Sequence, residues 1–117
     1  MNRSALVRAT AIGTVLQLAM VIAGHYVPFI KDNLFMWAGM GFSALAGLIY
    51  AATARGGSLG ANMLGGAVAG GVCALVGILV SFALGDVPAI VIAFGTLSSV
   101  VTGLIGGGIG KAVTSKA

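Results

Sequence analysis

Polar residues are so sparse along this chain that they act as punctuation between long apolar runs. The runs cover residues 9–29, 34–54, 61–84 and 87–109, each bounded by a charge or a turn. A bilayer core about 30 Å thick takes roughly 20 apolar residues per spanning helix, so each run predicts one transmembrane helix. None alternates with the period of two that a barrel with a polar lumen requires. The breaks Lys31-Asp32-Asn33 and Gly85-Asp86 are short, which makes consecutive helices antiparallel neighbours. Asp32 or Asn33 is placed to cap the second helix. Pro88 falls in the first turn of the fourth, where its missing N–H costs little. The stretch RGGSLG at 55–60 is the one flexible linker. The expected fold is an all-α integral membrane protein with one four-helix domain over residues 1–117. It comprises a helical hairpin at 1–55, a linker at 56–60 and a second hairpin at 61–117.

Arg3 and Arg8 ahead of an apolar run also resemble the start of a secretory leader. However, Val21-Ile22-Ala23 is a weak cleavage site, and the run is longer than a usual leader core. The segment is therefore expected to be retained as the first span.

Composition narrows the class. Of 117 residues, 59% are hydrophobic and 7% charged, against about a quarter charged in ordinary soluble domains. Eight charges cannot cover a soluble globule, and a disordered chain needs low hydrophobicity with high charge. Where the charges fall predicts orientation. Arg3, Arg8, Arg55, Lys111 and Lys116 lie at one face; Lys31, with Asp32 and Asp86, lies at the other. Five cations against one put both termini on the cytoplasmic side of the inner membrane. Tyr26, Phe29, Phe35 and Trp37 gather at the outer boundary and Tyr50 near the inner one. The expected partners are the bilayer and its anionic lipids at the cytoplasmic face, at about 1 kcal/mol per cation. The formal charge of +4 is thus answered by lipid, and no nucleic-acid partner is expected.

The two halves match each other at an offset of 56 residues. Gly39, Ser43, Gly47, Leu48, Ile49 and Arg55 align with Gly95, Ser99, Gly103, Leu104, Ile105 and Lys111. Because both hairpins start on the same side, such a duplication is a parallel repeat about an axis along the membrane normal. The alignment marks stripes of small residues at every fourth position: Gly39, Ser43, Gly47, Ala51 in the second helix and Gly95, Ser99, Gly103, Gly107 in the fourth. The third helix adds Gly66 and Gly70, and the stripe Gly65, Ala69, Cys73, Gly77, Ser81, Gly85. Glycine in a helix costs roughly 1 kcal/mol relative to alanine. Small residues compensate for this in lipid by letting helices approach closely. Twenty glycines exceed what one compact bundle is expected to use. Some stripes are therefore expected to face outward, toward a second copy or another membrane protein.

Candidate chemistry is thin. Every charged side chain falls at an expected interface, so no span holds the mid-depth ionisable group that marks transport or catalytic sites. The proteolipid ring subunits of rotary ATPases and the small multidrug exporters both need such a carboxylate, and neither family is indicated. Gln17 is the strongly polar residue near mid-span. Its expected role is an interhelical hydrogen bond to Ser43, Ser99 or Thr102, worth on the order of 0.6 kcal/mol; the sharper alternative is a polar path. His25 at the outer end of the first helix lies within reach of Asp32 and Asp86, a candidate pH-responsive cluster. Those residues are too few and too loosely placed to indicate a metal. Ser81 lacks a nucleophile elbow, so no catalytic residue is expected. Cys73 reads as a small buried hydrophobe. Gly106, Gly107 and Gly108, followed by Gly110-Lys111, lack the spacing of a phosphate loop and read as helix packing. No cofactor is expected.

The sequence thus predicts a small, non-enzymatic, multi-pass protein acting through glycine-rich helix packing, as a homo-oligomer or an accessory subunit of a membrane complex. The alternative is a passive channel or small-solute facilitator with a path between the hairpins.

Overall fold

A computed structural model describes residues 2–33, 35–54 and 56–115; the side chains of residues 31–36 and 115 lie outside the description. The chain forms five helices: α1 (Arg3–Tyr26), α2 (Pro28–Asn33), α3 (Phe35–Ala54), α4 (Leu59–Ala83) and α5 (Ile90–Ser115). The four long ones are apolar enough to cross a membrane. The bundle measures 42 × 22 × 21 Å, so its long axis exceeds a hydrocarbon core of about 30 Å.

Local chemistry sets the helix ends and moves several of them from their expected positions. The Asn2 side chain caps α1 by accepting from Ala5 N–H at 3.1 Å, so α1 begins at Arg3 rather than near residue 9. It stops at Tyr26 rather than Phe29, because Pro28 disfavours helical backbone at the residue before it. Val27 is extended there, with φ −121° and ψ 95°, and the short α2 follows. Asp32 and Asn33 lie in α2; any capping by their side chains falls outside the described residues. Ser58 caps α4 by accepting from Ala61 N–H at 3.1 Å. At its far end α4 closes in a Schellman motif: Gly85 N–H donates to Phe82 O at 3.0 Å and Asp86 N–H to Ser81 O at 3.0 Å. Gly85 takes φ +80°, the left-handed conformation this cap needs. Pro88 precedes α5 rather than lying in its first turn, and its carbonyl accepts from Val91 N–H at 3.1 Å. Lys111 does not end the last helix, which runs on to Ser115.

Two ends of the bundle can be distinguished. The terminal end carries Asn2, the 56–58 linker and the last turn of α5; the turn end carries α2 and residues 84–89. At the terminal end Asn2 N–H donates to Tyr50 Oη at 3.0 Å. The Asn62 amide donates to Gly56 O at 2.7 Å and to Ser58 O at 2.8 Å, holding the linker on α4.

Helix packing uses stripes of period four. The buried residues of α1 are Ala5, Ala9, Gly13, Gln17, Val21 and Gly24. They lie on the α4 stripe, in which Gly65, Ala69, Cys73, Gly77 and Ser81 are all buried. Both α1 and α5 pack on α3 and α4, whereas no Cα of α1 lies within 8 Å of one in α5 among the described residues.

The remaining glycines form a seam in the terminal half, where backbones touch. A methyl group at Gly47 or at Gly66 would overlap the Gly103 carbonyl, one at Gly106 the Ala44 carbonyl, and one at Gly107 the Asn62 carbonyl. At Gly70 a methyl would come within 2.9 Å of Gly103 Cα and of Ser43 O. Gly47 and Gly103 occupy equivalent positions of the 56-residue repeat, and here they meet. These stripes are therefore occupied inside one chain, contrary to the expectation that their excess faces outward. Small separations between helices need small residues on both sides, and a single bundle with three helices meeting at Gly103 uses many of them.

The seam gives a paired test of stability. Gly103→Ala and Gly106→Ala should each destabilise the fold by about 1–3 kcal/mol through overpacking. Gly41, in the middle of α3, has open space where a methyl would go, so Gly41→Ala should be neutral or stabilising by up to about 1 kcal/mol. Loss of helicity on titration of the micelle-bound protein with dodecyl sulfate measures both.

Candidate functional site

The seam ends where serine replaces glycine, at Ser43 on α3 and Ser99 on α5, and beyond that level a cavity opens between the helices. Gln17, 3% exposed, marks this level on α1. Its Nε2 donates to Gly39 O at 2.9 Å and to Ser43 Oγ at 3.2 Å. Ser43 Oγ in turn donates to Gly70 O at 3.2 Å, so its single hydrogen is committed and it must accept from Gln17. Cys73 Sγ also donates to Gly70 O, at 3.2 Å. These bonds tie α1, α3 and α4 together at mid-depth. They also fix the orientation of the glutamine amide: both N–H groups face acceptors, and Oε1 makes no hydrogen bond among the described residues. Of the three expected partners of Gln17, Ser43 is the one it reaches. Thr102 instead bonds its own helix at Ser99 O, 3.1 Å away.

Above this network, toward the turn end, lies a cavity of about 380 Å³. Its floor is α4, at Ala74, Gly77, Ile78 and Ser81. One wall is α1, at Gln17, Met20 and Val21. The facing wall is α5, including Ile90, Phe94 and Ser99, and Gly39 and Met40 of α3 close the third side. The cavity thus fills the place where α1 and α5 fail to meet. A true two-fold repeat would bring α1 onto α5 as it brings α3 onto α4, so the contacts depart from that symmetry here. On the α4–α5 side, Ile78 Cδ1 stands 2.6 Å from where a methyl on Gly95 would lie, so at this level Gly95 receives a side chain rather than a backbone.

The walls are mostly hydrocarbon, and among the described residues no ionisable side chain lines them. Polar residues interrupt them at Gln17, Ser81, Ser98 and Ser99. Gln17 presents its uncommitted amide oxygen, and Ser81, 2% exposed, carries a hydroxyl with no hydrogen-bond partner among the described residues. A volume of several hundred Å³, apolar walls and a few placed polar groups are the usual features of a small-molecule site.

At the turn end, His25 Nδ1 lies 2.8 Å from Asp86 Oδ2. The Schellman turn of α4 positions Asp86, and the last turn of α1 carries His25, so the pair joins α1 to the α4–α5 connection. The His25 ring also stands edge-on to Tyr26, with centroids 5.1 Å apart. The third member of the expected cluster, the Asp32 side chain, lies outside the described residues.

The remaining candidates are placed as follows. Gly47, Gly66, Gly70, Gly103 and Gly107 lie in the seam, Gly95 receives Ile78, and Gly39 borders the cavity beside Gln17. Ser99 is buried at the cavity base. The expectation set aside Ser81 with the catalytic triad and did not include Met20, Met40 or Phe94. Ser81 was legible as the last polar member of the α4 stripe, but nothing in the sequence distinguishes an unpartnered serine from a bonded one. The α1 stripe Ala5, Ala9, Gly13 was also legible, as small residues at every fourth position. Comparison with protein-family models, curated proteins and solved structures finds no match.

Two double-mutant cycles test these joints. Gln17→Leu with Ser43→Ala should show a coupling of roughly 0.6 kcal/mol, as for other hydrogen bonds within membranes. His25→Ala with Asp86→Asn should show about 0.2–1 kcal/mol, weakening as salt is added. Both are read from unfolding free energies in the same detergent.

Proposed function

We propose that this chain is a non-enzymatic, multi-pass protein of the cytoplasmic membrane that serves as a passive facilitator for a small uncharged solute. The observation that carries this reading is the 380 Å³ cavity between the two hairpins, with Gln17 and its uncommitted amide oxygen at the base. Its neutral lining favours an uncharged solute, because an ion there would lose its hydration without gaining a partner.

The distribution of cations supports the orientation. In the sequence, Arg3, Arg8, Arg55, Lys111 and Lys116 flank the apolar runs on one side, against Lys31 on the other, a distribution that favours both termini in the cytoplasm. The cavity then belongs to the outer half of the bundle, and the glycine seam closes the inner half. Passage requires that seam to part. It holds through close backbone contacts at Gly47, Gly66, Gly103 and Gly107. The basic inner face rests on anionic lipid headgroups. Action as a homo-oligomer or an accessory subunit drew its support from outward-facing glycine stripes; because those stripes pack the chain on itself, the facilitator is the better-supported function.

Reconstitution into vesicles tests the proposal. Swelling in glycerol or urea should be faster with the protein than without it. Gly39→Leu should return it to the rate of empty vesicles, since a side chain there enters the cavity 3.5 Å from Gln17 Oε1 and 3.7 Å from Met20 Cε. Equal swelling of protein-containing and empty vesicles with both solutes would overturn the reading.

A further inference from the structure

The cavity's polar atoms are unequal in what they leave open, and that inequality specifies a ligand. Both N–H groups of Gln17 are committed, to Gly39 O and Ser43 Oγ, while its oxygen is open. Gly39 O can only accept, so reversing the amide would set its oxygen against that carbonyl and lose the 2.9 Å bond. The Ser81 hydroxyl, buried and without a partner among the described residues, can donate as well as accept and so does not discriminate between donor and acceptor ligands. A ligand seated here therefore meets at least one open carbonyl-type acceptor at the base. That acceptor is worth most to a group that arrives with a hydrogen, because an acceptor buried against an acceptor is left unpaired.

The rest of the lining sets the body of the ligand. The volume of 380 Å³ is more than twice the roughly 150 Å³ of an engineered cavity that holds benzene. Met20, Met40 and Phe94 border it, and thioethers make favourable contacts with aromatic rings. Among the described residues no ionisable side chain lines it, so a charged head would find no partner among them.

From these observations we infer that the cavity binds a neutral, ring-sized, apolar molecule that carries one N–H or O–H donor, received by Gln17 Oε1. The inference rests on the cavity's being the working part of the protein, as proposed above, and adds the chemical class of its occupant.

Indole and 1-methylindole are suitable probes, since they share a ring system and differ in the donor. Binding is followed in lipid nanodiscs by the 13C-methyl signals of Met20 and Met40, with Met63, which lies against Gly108 in the seam, as the internal control. Each probe's concentration in the bilayer is taken from protein-free discs, so that partition into lipid cancels. Indole should saturate the Met20 and Met40 shifts at a concentration about fivefold lower than 1-methylindole, the ratio expected of one net hydrogen bond. Gln17→Leu should bring that ratio to one. Equal saturation of the wild-type protein by the two probes would overturn the inference without recourse to any variant. So would a ratio that survives Gln17→Leu, or shifts confined to Met63. Selective binding by a protein that passes neither glycerol nor urea overturns the facilitator alone; solute flux with equal probe affinities overturns the donor requirement alone.

Discussion

Backbone contact between helices at glycine is the constraint on which the rest of this structure depends. In lipid no hydrophobic force draws one helix onto another, so association rests on close packing and on hydrogen bonds between helices. Gly103 shows how far this is taken, lying against Gly47 of α3 and against Gly66 and Gly70 of α4 at once. Each of those positions excludes even a methyl group. The seam fixes the separation of three helices in the terminal half, and α1 joins them through its own stripe on α4.

The cavity is a consequence of where the seam stops. Past Ser43 and Ser99 the larger side chains Met40, Ile78 and Phe94 stand among Gly39, Gly77 and Gly95, and a cavity opens between the helices. Gln17 sits at this transition. There a polar side chain does two things at once: its amide nitrogen ties α1 to α3, and its amide oxygen is left facing that cavity. The His25–Asp86 pair performs a similar joining role at the turn end, where α1 would otherwise have only its contacts with α4 near its last turn. It depends on the Schellman turn at Gly85, which brings Asp86 back over the end of α4.

The internal repeat takes on a different meaning once the contacts are known. Its equivalent glycines Gly47 and Gly103 meet face to face, as an axis along the membrane normal would place them. Its other consequence, contact between α1 and α5 to match that between α3 and α4, is missing. The asymmetry lies where the cavity lies. The departure from the repeat and the cavity coincide, and the residues around that space give it its chemistry.

The hydrophobic pattern by itself determined the four long apolar helices, because no other arrangement of so few polar groups satisfies the backbone in lipid. It also marked Gln17 as the residue to watch and named Ser43 among its partners, since an amide in mid-membrane must find an acceptor and few were on offer. Spacing along the chain located the small-residue stripes. It could not tell what they face, because a glycine that packs inside a chain and one that packs against another chain leave the same pattern. That was decided by tertiary structure, which spent Gly47, Gly66, Gly70, Gly103 and Gly107 within the bundle. Helix ends at Tyr26 and Ile90 likewise depended on local backbone geometry around Pro28 and Pro88, which hydropathy does not register. The cavity was beyond the sequence altogether. A void is the absence of contact between elements distant along the chain, and only the packing of α1, α3, α4 and α5 together determines where contact fails.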